Sequence, residues 1–263
     1  SLNTISKGIV MITLEEINYE VDEFNKYMGT QIPYFSDLKF EDTYVHNAKI
    51  KKEDIFNNNF TLYIGKPFET NDLKSKKAIL WHEFTHVMDI LDLKEKYDSD
   101  RLSGIISTYS EAHAESIKAR KLLNINLNKQ LKLGEAKRKR IYLSGGQSSI
   151  LSQYEKFYIK SSVKGLELFF ASSVPDANLF DIFLNNFCYF CGFLKLHNKI
   201  EADKMILDVI NEYPKELIPT LKDLYKAIMS NDFERCSELY DNLFSLFRNR
   251  YDILIKNLNG NKS

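Results

Sequence analysis

The stretch 79-ILWHEFTHVMDIL-91 carries His82, Glu83 and His86 inside a run otherwise apolar enough for a protein core. At about 100° per residue, Leu80, Phe84, Val87, Met88 and Leu91 fall within a stripe about 100° wide, which suits burial of one helix face against a sheet. His82 and His86, four apart, share a different face, with Glu83 beside them. The spacing therefore predicts a helix with a core face and a separate chemical face. It starts at Asn71 or Asp72, either of which can cap it, and runs to about Leu91.

Two imidazoles one turn apart can present ring nitrogens to the same ion, and Zn²⁺ takes nitrogen ligands at about 2.0–2.1 Å in a tetrahedral arrangement. A catalytic zinc site needs a third protein ligand and leaves one position open. Glu83, next to the first ligand, projects past the ion and can act as general base. This H-E-x-x-H pattern arises by chance in roughly one chain in a hundred of this composition. A source for the third ligand follows in 110-SEAHAES-116, where Glu111 and Glu115 are four apart and share a helix face. Ala112 and Ala114 beside them allow close packing. One carboxylate can bind zinc while the other hydrogen-bonds a ligand histidine and fixes its tautomer, so Glu111 is assigned as ligand and Glu115 as support. Asp89, three residues after His86, is a second candidate support. His113 points about 200° away from Glu111 on a helix and reads as a packed or surface histidine.

The pair 82-HEFTH-86 and 111-EAHAE-115 resembles the Glu-zincin metallopeptidases, which join H-E-x-x-H to a downstream E-x-x-[small]-[acid]. In thermolysin-like members the first acid of the second motif binds zinc and the last orients a histidine. The resemblance implies Zn²⁺ on His82, His86 and Glu111, support from Glu115, Glu83 as general base, and hydrolysis of a peptide or protein substrate. Strand-like residues 59–64, just before the helix, are similar to the zincin edge strand, along which substrate adds as an antiparallel strand. Chain length and layout also resemble the ImmA/IrrE-like and prophage-type metallopeptidases, which usually carry Gly or another small residue where this chain has Thr85. The likeness covers about residues 59–120. No position matches the thermolysin family's downstream catalytic histidine; Tyr109 and Tyr97 are the nearby candidates for binding the developing oxyanion, and Tyr109 is the one assigned a catalytic role.

Outward from the motif, 8–14 and 59–64 read as strands and 15–28 as a helix ending at Gly29. A loop over 92–104 leads to a second helix from Ser107 or Ser110 to Leu123. Basic residues and a Gly/Ser cluster over 129–149 suggest a linker. Helices are expected over about 150–171, 176–197, 200–213, 215–229 and 232–256. The expected fold is α+β: a zincin-like catalytic domain over 1–128, with a small mixed sheet over the active-site helix, and an all-helical region over 150–263.

The bulk composition removes several functions. The 263 residues balance 36 acidic against 36 basic side chains, so nothing favours a polyanionic partner. The run 137-KRKR-140 lacks aromatic interleaving or a groove-reading motif, which argues against nucleic-acid binding. The longest apolar runs, such as 187-FCYFCGFL-194, fall short of the ~20 residues that span a bilayer, and the N-terminal stretch is wrongly flanked for a signal peptide. Three cysteines do not make a disulfide framework; Cys188 and Cys191 read as buried thiols, and a cytoplasmic location is expected. Three functions stay open: a general zinc peptidase, a prophage-type or toxin-like peptidase with one dedicated substrate, and a zinc-binding regulatory or interaction protein with a degenerate peptidase site.

Overall fold

The computed structural model describes residues 12–143, 146–171 and 175–260. Thr13 caps the first helix, α1 (Leu14–Met28): its hydroxyl accepts from the Glu16 N–H while the Glu16 carboxylate accepts from the Thr13 N–H. Gly29 closes it at φ 68°, a left-handed conformation free of Cβ strain in glycine. The strand expected over 8–14 is thereby corrected, because 12–14 belong to this cap and helix; 8–11 lie outside the described residues.

Next come β1 (Asp37–Glu41), β2 (Ala48–Lys49), α2 (Lys52–Phe56), β3 (Thr61–Gly65) and α3 (Lys66–Thr70). The strands form a mixed sheet in the order β1-β3-β2, with β1 parallel to β3 and β2 antiparallel to it. Strand 59–64 was expected at the sheet edge; β3 is instead central, and the antiparallel edge is β2. Its alternation conceals this. Leu62 and Ile64 enter the core, yet Tyr63 on the opposite face is buried too, with the Lys51 ammonium 4.0 Å from its ring centroid and its hydroxyl donating to Asp54 at 2.9 Å.

The helix α4 (Leu73–Leu93) carries the motif and is capped by Asp72, whose carboxylate accepts from the Ser75 N–H at 2.8 Å. The loop over 92–104 is shorter than expected, because Asp98 caps α5 (Ser99–Ile105). This helix runs through a π-helical segment, Ile106–Ser110, into α6 (Glu111–Leu123). The span 129–149 is not a bare linker: it holds α7 (Leu133–Arg138) and a hairpin of β4 (Arg140–Leu143) and β5 (Gly146–Ser149), and Leu131 and Ala136 are buried in the C-terminal core. The remainder is helical, as expected: α8 (Ile150–Gln153), a second π-helical segment Tyr154–Lys160, α9 (Ser161–Ala171), α10 (Leu179–Leu194), α11 (Lys199–Ile210), α12 (Ile218–Ser230) and α13 (Phe233–Gly260).

The class is α+β, with two apolar cores that meet at α4 and α6. The first joins Val21 and Phe24 of α1, Leu62 and Ile64 of β3, Leu80, Phe84 and Val87 of α4, and Ile117 of α6. The second gathers Phe183, Phe187, Phe190 and Phe193 of α10 against Ala112 and Ala119 of α6. Helices α6 and α10 approach closely because residue 192 is glycine: a Cβ there would lie 2.3 Å from the Ala112 carbonyl oxygen and 3.0 Å from Glu115 Cβ. Among the described residues no helix is long and apolar enough to cross a membrane.

Candidate metal centre

One turn of α4 places His82 and His86 with ring centroids 4.8 Å apart and their Nε2 atoms 3.2 Å apart. Glu111, the first residue of α6, brings Oε2 to 3.4 Å from His82 Nε2 and 3.6 Å from His86 Nε2. These three separations match a tetrahedron with metal bonds of about 2.0–2.1 Å, whose ligand atoms stand about 3.3–3.4 Å apart. Glu111 Oε2 is also buried with no hydrogen-bond partner. Among the described residues these three form the group able to hold a metal ion.

The tautomer of His86 follows from its outer partner. The Ser110 hydroxyl has one proton, and it donates that proton to Asp89 Oδ2 at 2.7 Å. It must therefore accept from His86 Nδ1, 2.8 Å away, so Nδ1 carries the hydrogen and Nε2 keeps its lone pair. Asp89 Oδ1 accepts in turn from His113 Nδ1 at 2.9 Å. On the other side, His82 Nδ1 lies 3.5 Å from Glu115 Oε2, an ion-pair distance, while Glu115 accepts from Tyr154 Oη at 2.5 Å and from Lys118 Nζ at 3.0 and 3.2 Å. Nε2 of both rings and Oε2 of Glu111 thus converge on one point, which a cation or a shared proton must fill.

The electrostatics record that need. Burial works against a charge on His82, but Glu111 and Glu115 outweigh it and push its pKa up to about 9. Burial acts on Glu111 in the opposite sense to its neighbours, and His86 and His82 win, holding its carboxyl below the ordinary carboxylate range. Glu83 differs: burial raises its carboxyl pKa more than the histidines lower it, with the Ile50 backbone just past the end of β2 acting in the lowering direction. A carboxyl raised towards neutrality beside a metal site is suited to taking up and returning a proton.

His82, His86 and Glu111 therefore converge, with Glu83 next to His82 in the chain, Glu115 near His82, and Asp89 reaching His86 through Ser110. Tyr109 does not join them. It is buried with its ring 4.7 Å from that of Phe233 and the Lys195 ammonium 4.7 Å from its centroid, and Asp89 adds to the effect of burial in raising its pKa. Tyr97 packs on Phe233 as well. Thr85 is fully buried and turns its hydroxyl onto the Trp81 carbonyl, 2.8 Å away, so the bulkier residue fits without facing the ligands. Cys188, Cys191 and Cys236 are buried free thiols.

Ser110, Lys118, Tyr154, Tyr158 and Tyr189 also border the site and belong to neither sequence motif. Ser110 immediately precedes a ligand, which was a usable signal. The tyrosines lie beyond residue 150 and had none: Tyr189 sets its ring edge-on to His82 at 5.6 Å, and Tyr158 stands 5.4 Å from Tyr189. The chain matches no protein-family model, no curated protein and no solved structure.

Proposed function

We propose that this chain is a zinc-dependent peptidase of the Glu-zincin kind. The observation that carries the reading is the convergence of His82 Nε2, His86 Nε2 and Glu111 Oε2 at tetrahedral separations, with the buried Glu83 carboxyl alongside. Zn²⁺ bound by His82, His86 and Glu111 would supply Lewis acidity. Glu83 is the residue placed to take a proton from an attacking water and return it to the leaving amine. Glu115, itself held by Tyr154 and Lys118, orients His82; Ser110 and Asp89 orient His86.

The substrate fits as an extended peptide. Edge strand β2 ends one residue before Ile50, whose backbone bears on the Glu83 carboxyl, so a peptide added to that edge passes the general base.

Elemental analysis of the purified protein, taken with His86→Ala and Glu83→Gln variants, tests the reading. The expected result is near-stoichiometric zinc in the wild type and in Glu83→Gln, loss of zinc in His86→Ala, and cleavage of an unbiased peptide pool by the wild type alone. Zinc without cleavage would favour a binding protein that keeps the metal site, and no zinc after reconstitution would end the proposal.

A further inference from the structure

Tyr189 occupies a place in the fold that packing alone does not account for. It projects from α10, in the helical half, onto the metal-binding face of α4, with its ring 5.6 Å edge-on to His82 and 5.4 Å from Tyr158. The Lys118 ammonium lies 5.8 Å from its centroid while bonding Glu115. Tyr154, one π-turn before Tyr158, spends its hydroxyl on Glu115, but neither Tyr158 nor Tyr189 has a hydrogen bond for its own hydroxyl among the described residues. Two phenol donors therefore stand unused beside a cluster of carboxylates.

We infer that Tyr189 is the catalytic residue that hydrogen-bonds the substrate carbonyl oxygen as that oxygen gains negative charge, so the helical half completes the active site. The inference rests on the peptidase reading. Glu83 cannot play this part, because it must be free to move a proton, and Tyr109 faces Phe233 instead. A neutral donor already in place costs no reorganisation when charge develops.

The test uses acetohydroxamate, a small probe that presents a carbonyl oxygen beside an anionic one. It is titrated into the Co²⁺-loaded full-length protein and followed by visible absorption. Tyr189→Phe keeps the ring and its contact with His82 and removes only the donor. Its hydroxamate dissociation constant is expected to rise about tenfold or more, as for loss of one hydrogen bond to a charged group, with Co²⁺ affinity unchanged. Equal hydroxamate affinity in wild type and variant, or no binding to the loaded wild type, overturns the assignment while leaving the metal site intact. A loss seen in Tyr158→Phe and not in Tyr189→Phe overturns it in favour of the neighbouring ring. A wild type that takes up no Co²⁺ overturns both this inference and the peptidase reading.

Discussion

A single hydroxyl proton settles how His86 is presented. Because Ser110 gives its proton to Asp89, His86 can only donate from Nδ1, and its Nε2 is left for a ligand role. Ser110→Ala is therefore expected to weaken zinc binding about 10–100-fold, the usual cost of removing a partner that orients a metal ligand, and competition with a chelator reads this directly. Unchanged affinity would mean that the helix alone orients the ring. His82 makes a separate prediction. Its metal-free pKa lies near 9, above the ordinary 6.5, because Glu111 and Glu115 outweigh the effect of burial, so the ring is protonated at pH 7. Zinc bound at the proposed site would displace that proton, and calorimetry in buffers of different ionisation enthalpy should then show about one proton released per zinc at pH 7, fading above pH 9. The folded metal-free protein binds more protons than the unfolded chain between these two values, so its stability should fall as pH rises from about 6.5 to 9.

Helix α6 is a partition used on both sides. Its Ile117 closes the core under the sheet, while Ala112 and Ala119 pack on α10, and between them Glu111 and Glu115 face α4. The π-helical segment before it adds a residue to one turn, a device common at functional sites, and ends on Ser110. No hydrophobic period reveals such a widening, so the sequence places the start of this helix only to within a few residues. The tight seam between α6 and α10 makes residue 192 a sensitive point. Gly192→Ala drives a methyl into the Ala112 carbonyl and Glu115 Cβ, so it should cost about 1–3 kcal/mol by denaturant unfolding and weaken zinc binding as Glu115 shifts. A variant with wild-type stability would show that α10 can slide away freely.

Taken as a whole, the molecule does not divide where composition changes. Tyr154 reaches back to Glu115, Tyr189 to His82, and α13 packs against α5, so residues 150–260 wall the site that 71–123 begin. A fragment ending at residue 128 would expose Ala112, Ala119 and Tyr109, all in the C-terminal core, and is expected to lose cooperative thermal unfolding and near-UV dichroism. A fragment that melts sharply and binds zinc like the full chain would refute this. Much of the site was nevertheless legible in the linear chain. His82, Glu83 and His86 lie within one turn, and Glu111 and Glu115 within another, where helix geometry alone decides which side chains share a face. Residue periodicity likewise sufficed for α1, α4 and the C-terminal helices, since each repeats its apolar positions locally. What the sequence could not decide was every relation between elements far apart along it: β3 at the centre of the sheet, Asp89 reaching His86 through Ser110, Tyr109 turned into the core, and Tyr189 set against His82. Those depend on which buried surfaces fit one another in three dimensions, and close packing across α4, α6 and α10 selects that fit only after the chain has folded.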